Sequence, residues 1–600
     1  MQQSFVFVEF DRAGGLGHDP ASVVSTPQVR IRAEGFFPVP RRHDLGRRVV
    51  VLCGHPIADG RRDDRAVLAT LERHQHDLGR CATELDGSFL IFIHDTSRGT
   101  LAIINDRFAG IPFHYHCRPQ GMSGGTSFRQ VLENARAGGG GGIDADQVVV
   151  FLWLRRLLGE ATLAGDIAYL PAAAVLECDG TVAPHRYWQP NFATPAPTGR
   201  RLIDELADGL HQALAQNMSD TDGRFGLLLS GGLDSRALLA AAPRPPVCFT
   251  TCLTRNNEFH VAADVARLAG APHIFIPRPL ATLDGKLDEA AALGGMQVYN
   301  EAQFLGYGPA IAGHANVVMI GLGLDIFFGG LYLPKYPARL GGRELLNYRL
   351  MPLPQDFAGF YLDTVKYRLK TSDPLSVLRD PVARRARDIV RARVEAIAER
   401  GRGLGAADYD LWEYMHLHTL SRHYSFPMMA SVRTFAECRA PALSNRLFDL
   451  AIAMRAADKL DGTPYQAAVK QLAPALMAVR NANTNLPASW SLRRQSLAKG
   501  ATFVLRRLGI RIEAGRSPGW QDRSWPLPRA QLEASAALMA RVKALPDCPA
   551  LAATDVFDPT KIAEMITEHT EGRHDHSVLL NVLLTLSSAL RPTPSPARSP

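Results

Sequence analysis

The sequence predicts an α/β protein of two domains, and three observations carry that prediction. Residues 1–190 alternate short apolar runs with turn chemistry, as a β-rich chain does. A proline-rich stretch, Asn191-Phe192-Ala193-Thr194-Pro195-Ala196-Pro197, then breaks the pattern as a linker would. Beyond it, apolar strand-like runs alternate with helical ones, which argues for a parallel sheet covered by helices with ligands at the C-terminal ends of its strands.

In the first region, Ser88 to His94 and Thr100 to Asn105 read as strands, bounded by the turns Asp95-Thr96-Ser97-Arg98-Gly99 and Asp106-Arg107-Phe108-Ala109-Gly110. Five consecutive glycines, Gly138 to Gly142, read as a flexible surface loop. After the linker the pattern gives a helix over 202–217, a strand over 225–229, a helix over 235–242, a strand over 247–251 and a helix over 258–268. The last third reads as mostly helical, with an extension over 501–590 and a Pro-rich tail, 591–600, expected to be disordered. No internal repeat is evident.

At 600 residues, 46% hydrophobic and 21% charged, the chain can bury a large core. Its net charge of +8 comes mostly from arginines spread along the whole length, so a nucleic-acid partner is not expected. The eight cysteines have no metal-type pairing, and Cys248 and Cys252 read as buried free thiols. Without a signal segment or an apolar run near the ~18 residues of a membrane span, the expected location is the cytoplasm.

The most informative string is Phe225-Gly226-Leu227-Leu228-Leu229-Ser230-Gly231-Gly232-Leu233-Asp234-Ser235: an apolar strand, a Ser-Gly-Gly turn with an acidic residue, then a helix. Adjacent glycines let backbone approach an anion, and amides at a helix start point toward it, so the turn reads as a pyrophosphate cradle. Asp234 is suited to Mg²⁺, which favours one or two carboxylates plus phosphate oxygens and water. Gly-Gly with a capping serine also occurs in ordinary strand-to-helix turns, so the whole string carries the reading. Downstream, the apolar run 317–320 opens into Gly321-Leu322-Gly323-Leu324-Asp325-Ile326-Phe327-Phe328-Gly329-Gly330. If the two strands are neighbours, Asp325 joins Asp234 as a second Mg²⁺ ligand. A Gly-rich loop with a solvated aspartate is the plainer alternative. No Gly-x-x-x-x-Gly-Lys-Ser/Thr motif is present.

Together these strings resemble the asparagine synthetase class B superfamily over roughly residues 80–490. Besides the two glycine-rich loops, the resemblance rests on Glu84-Leu85-Asp86-Gly87-Ser88-Phe89, on Asn105 to Pro112, on Arg186-Tyr187-Trp188 and on Glu437-Cys438-Arg439-Ala440-Pro441. It implies an N-terminal Ntn-type glutamine-amidotransferase-like αββα sandwich over 1–190. A PP-loop ATP-pyrophosphatase domain, adenine nucleotide α-hydrolase-like, would follow over 200–500. It implies ATP and Mg²⁺ as cofactors, with Leu228, Ser230, Gly231, Gly232, Leu233, Asp234, Ser235, Thr251, Ile320 and Gly321 at the nucleotide. Leu227, Thr250 and Glu258 are weaker candidates there. All the strand residues among these also fit plain sheet core.

The departures narrow the reading. A glutamine-hydrolysing member needs an N-terminal cysteine, whereas this chain begins Met1-Gln2-Gln3-Ser4 and has no cysteine before Cys53, so the first domain is expected to be a degenerate scaffold. Ile326 after Asp325 is similar to the β-lactam synthetase branch. Leu322 stands where related enzymes carry a tyrosine or glutamate base, and leucine moves no proton. A free peptide N-terminus, with a reference pKa near ~8, needs less help than an amide. The resemblance is therefore greatest to lasso-peptide macrolactam synthetases. These adenylate an Asp or Glu side chain of a precursor peptide, close an isopeptide ring with its N-terminal amine, and work beside a leader-peptide protease and a leader-binding protein. The family's late catalytic lysine falls in a segment reading Ala478 to Pro487, which has none, so Lys470 or Arg480 is the candidate replacement. Arg422, His423 and Arg433 are candidates for lining the substrate cavity. An amide ligase acting on a small molecule, a base-adenylating nucleic-acid enzyme and an inactive scaffold remain alternatives. Neither the peptide, the ring size nor the oligomeric state is readable.

Overall fold

The computed structural model describes residues 4–591 apart from 180, 294–295, 341–342, 370–371, 419 and 511–523. The tail expected to be disordered lies outside the described residues from 592 onward.

The N-terminal region forms two six-stranded antiparallel sheets. One is centred on Phe5–Asp11, Val29–Glu34 and Gly121–Gly125, the other on Arg48–Gly54, Phe89–Asp95 and Thr100–Asn105. Their facing sides interdigitate in one apolar core: Val6, Val8 and Ile31 meet Val51, Leu90, Phe92 and Ile103. Helices Asp64–Arg73 and Leu78–Thr83 cover the outer face of the second sheet, where Val67 and Leu71 meet Phe89, Ile91 and Ile93. Helix Phe128–Ala137 packs on strands Gly121–Gly125 and His114–Arg118 of the first sheet. The layering is αββα. It explains why Phe89-Leu90-Ile91-Phe92-Ile93 is apolar without alternation: alternate side chains enter two different cores, one on each face.

The glycine run does not behave as a free linker. Gly138 caps the Phe128–Ala137 helix, and the Gly141 amide donates to Asp166 Oδ2 at 2.8 Å, so the segment is a pinned turn.

Residues 187–198 hold no regular element. Beyond them a five-stranded parallel sheet runs in the order His273–Pro277, Val247–Cys252, Phe225–Leu228, Val317–Met319, Glu437–Arg439. The first strand in sequence lies at the centre, and the chain adds strands first on one side and then on the other. That places a topological switch point between Phe225–Leu228 and Val317–Met319, where crevices form above strand ends. Helix Gly199–Asn217 buries Leu202, Leu206, Leu210 and Leu214, a four-residue spacing that makes one apolar stripe. The outermost strand, Glu437–Arg439, is only three residues long. A hairpin, Lys335–Leu340 with Arg343–Leu350, precedes the last third, which is mostly helical as expected.

The C-terminal helices are part of the same body. Helix Ser577–Ala589 packs on Leu287–Ala292 and on the 3₁₀ turn Tyr299–Glu301. Asn581 Oδ1 accepts from Tyr299 Oη at 2.9 Å, and Thr585 Oγ1 accepts from the Tyr299 amide at 3.1 Å.

Candidate functional site

A cavity of about 460 Å³ opens above the switch point. Its size is in the range of small-ligand sites. Strand ends and the turns after them line it with Leu228, Ser230, Thr251, Ile320 and Gly321, and the helix Asn257–Leu268 adds Glu258. Glu301, Gln303, Phe304, Leu322, Tyr424 and Met428 also line it. Asp234 and Asp325 both line the cavity.

The Ser-Gly-Gly turn is held by its own hydroxyls. Ser235 Oγ accepts from the Ser230 amide at 2.9 Å, and Ser230 Oγ accepts from the Gly232 amide at 3.2 Å. Gly231 is buried behind the turn, and a Cβ there would stand 2.3 Å from the Cβ of Ala482. Asp234 opens the helix Asp234–Ala241, one residue earlier than the sequence pattern suggests. Across the switch point, Gly323 at φ 105° starts the short helix Leu324–Phe328 that carries Asp325. Gly321 closes the gap between the two loops: a Cβ on it would lie 3.1 Å from Asp234 Cβ. A side chain there would push the loops apart.

The two aspartates feel one another. Burial raises the Asp234 carboxyl well above its ordinary range, and the Asp325 charge raises it further, while a hydrogen bond from Tyr465 Oη to Oδ1 at 3.0 Å opposes both. Asp325 is also raised by burial, offset by its own backbone hydrogen bonds and the Lys366 charge. Two half-buried carboxylates facing one cavity are held ionised together by a cation, and this donor set fits Mg²⁺ completed by phosphate oxygens and water. Among the described residues no group of three or more Asp, Glu, His or Cys side chains could enclose a metal on its own.

The remaining candidates divide. Leu228, Ser230, Ser235, Thr251, Ile320, Gly321, Thr250 and Glu258 line the cavity; Gly231, Gly232 and Leu233 do not, being the interior of the turn, and Leu227 is sheet core. Neither candidate cation is brought in. Lys470 shares the helix Thr463–Leu472 with Tyr465, but five residues of α-helix rotate roughly 140° from one to the other. With Tyr465 buried against Asp234, Lys470 is exposed on the far side. Arg480 is also exposed and does not line the cavity, although its segment does reach the turn. The buried Arg236 donates to the carbonyls of Leu476, Val479 and Arg480, and the Ala482 amide donates to Gly231 O at 3.1 Å.

Three residues expected in the cavity lie elsewhere. Arg422 donates to Ala161 O at 2.6 Å and Arg433 to Gly110 O at 2.6 Å, so both clamp the parallel-sheet region to the sandwich. His423 bonds Tyr332 Oη, and burial holds its ring well below the usual imidazole range, hence neutral. Conversely, Tyr465, Glu301, Gln303, Phe304, Tyr424 and Met428 have no motif around them and escape a sequence reading.

Compared with known proteins, the chain matches the family model for asparagine synthase over residues 205–507, just over half of its length. No curated protein matches it. Two solved structures are distantly similar. One is titled as the allosteric regulatory enzyme of purine biosynthesis (10% identity, 47% of this chain and 76% of that one, TM-score 0.21). The other is glutamine phosphoribosylpyrophosphate amidotransferase from B. subtilis complexed with ADP and GMP (10% identity, 46% of this chain and 59% of that one, TM-score 0.18). At that level neither bears on the fold or activity of this chain.

Proposed function

Because the chain belongs to the asparagine synthase family, a family of ATP-dependent amide-forming ligases, we propose that it adenylates a side-chain carboxylate of a peptide and closes a macrolactam with that peptide's N-terminal amine. The observation that carries the reading is the pairing of Asp234 with Asp325 at one cavity that is also lined by residues from outside the strand ends, Glu301, Phe304, Tyr424 and Met428.

At the strand ends, Leu228, Thr251 and Ile320 would border the adenine nucleotide, and the Ser230–Ser235 turn would receive its phosphates. Asp234 and Asp325 would hold Mg²⁺, which when bound neutralises phosphate charge. The substrate carboxylate attacks the α-phosphorus, pyrophosphate leaves, and the mixed anhydride with AMP forms. The amine nitrogen then attacks the carbonyl carbon, and AMP departs. Holding amine and acyl-adenylate together in one cavity is worth up to about 7–11 kcal/mol of barrier in favourable cases.

Two features favour an amine already present in the substrate over ammonia made in the sandwich. Cys53, Cys81 and Cys178 are buried there with thiols pushed up to about 12, the reverse of an activated nucleophile. Leu322 offers the cavity no proton acceptor at its position.

The test is ATP–pyrophosphate exchange by the purified chain against a library of free-amine peptides bearing one Asp or Glu, with and without a candidate protease and leader-binding protein. We expect exchange that depends on the peptide and a product one water lighter. Asp325→Asn should lower exchange about 10²-fold or more. Exchange with small amino acids alone would redirect the reading to a small-molecule ligase; copurified RNA adenylated at a base would redirect it to nucleic acid. Tight ATP binding without any exchange would make the chain a scaffold.

A further inference from the structure

We propose that Glu301 is the proton acceptor for the attacking amine, taking over from another element the role that Leu322 cannot perform. The inference rests on the ligase reading above and names a catalytic residue for it.

Glu301 lines the same cavity as Leu322, Tyr424 and Asp325. It ends the 3₁₀ turn Tyr299–Glu301, which is fixed from behind: Tyr299 is buried and bonded through both its amide and its hydroxyl to the helix Ser577–Ala589. The carboxylate is therefore placed by rigid elements. Its neighbours leave it uncommitted. The side-chain hydrogen bond it accepts is from Gln303 Nε2 to Oε2, long at 3.3 Å, and among the described residues no Lys, Arg or His approaches within ion-pair distance. Arg155 acts on it only through the field, as Glu301 does on Tyr424. A half-buried carboxylate facing a cavity with one weak partner is costly for stability, and such sites are typically functional.

Its chemistry suits an amine. Burial lifts the carboxyl to about 7, opposed by the Arg155 charge and the Gln303 hydrogen bond, so near neutral pH it is both available as a base and a competent acid once loaded. The other acids of the cavity stand differently: in the ligase reading Asp234 and Asp325 hold the metal, and Glu258 lies in the first turn of the helix Asn257–Leu268, where the helix dipole favours its charge. In the step itself the N–C bond forms as the neutral amine attacks the acyl carbon. The proton shed by nitrogen passes to Glu301, the carbon–oxygen bond to AMP breaks, and the released AMP carries the electron pair. Glu301 then returns its proton to water.

The test separates the two half-reactions in Glu301→Gln and Glu301→Asp, using the peptide that supports exchange in the wild type. We expect Glu301→Gln to keep peptide-dependent pyrophosphate exchange within about threefold, which also shows that it is folded, while ring closure falls by about 10²-fold or more. Wild-type ring closure should rise with pH through about 7, as the carboxylate form accumulates; this limb, distinct from the amine's own at about 8, should vanish in Glu301→Gln and survive in Glu301→Asp. Ring closure by Glu301→Gln at the wild-type rate with the same pH limb overturns the proposal, as does an equal loss of exchange and closure. If the wild type shows no peptide-dependent exchange, the ligase reading fails, and the role of Glu301 fails with it.

Discussion

Asp234 is kept in an unfavourable place. Burial and the neighbouring Asp325 both oppose its charge, and the Tyr465 hydroxyl, which donates to Oδ1, works against them. The hydrogen bond favours the ionised form and orients the carboxylate toward the cavity. Tyr465→Phe removes that donor and little else, since the ring stays packed beside Phe328. The Mg²⁺ concentration for half-maximal pyrophosphate exchange should then rise about 10–100-fold, the usual cost of losing a group that orients a metal ligand. A magnesium titration checks it; unchanged dependence would leave Tyr465 a packing residue. Tyr465 could not be found from sequence, because it lies 231 residues from Asp234 and sits in no motif.

Among elements, the helix Asp234–Ala241 does two tasks. Its first turn carries Asp234, and Arg236, on the same turn, points back into the protein to hold the 476–480 backbone by three carbonyls. Asn257 adds a bond to Ala482 O at 2.8 Å, so the loop is fastened beneath the Ser-Gly-Gly turn. Arg236→Met leaves those carbonyls unpaired and should cost about 3–5 kcal/mol. Hydrogen exchange should show the Ala482 and Asn485 amides losing protection before the parallel sheet does. If protection falls uniformly, the loop is held by something other than Arg236.

At the scale of the molecule, the sandwich and the parallel-sheet region are clamped together by charged groups reaching across. Arg433 donates to Gly110 O, and Arg107 pairs with Asp449 at 2.8 Å. Asp106, beneath that seam, accepts from the amides of Phe89, Phe108 and Gly110, yet burial still lifts its carboxyl from 3.8 to about 6. A raised carboxyl pKa means that the folded state holds a proton the unfolded chain has released. Its contribution is complete below pH 3.8 and is lost as pH rises through about 6. Between those limits about 3 kcal/mol should disappear. Urea denaturation of wild type and Asp106→Asn across this window checks it: the difference between them should change by that amount, and a constant difference would refute the assignment.

Local chemistry was enough to place the strand–turn–helix units at 225–242 and 247–268, because apolar period, glycine and capping signals act within a few residues. The same holds for the two acidic loops, whose glycines are demanded by close approach of backbone. What only the tertiary structure decided is which side chains meet. The αββα layering turned an unbroken apolar strand into one facing two cores, and helical rotation took Lys470 away from the cavity while setting Tyr465 against Asp234. Folding also spent Arg422 and Arg433 on the seam, and it carried Glu301 to the cavity by anchoring its turn to a helix almost three hundred residues later. Such meetings depend on packing between elements far apart in the chain, and no pattern along it records them.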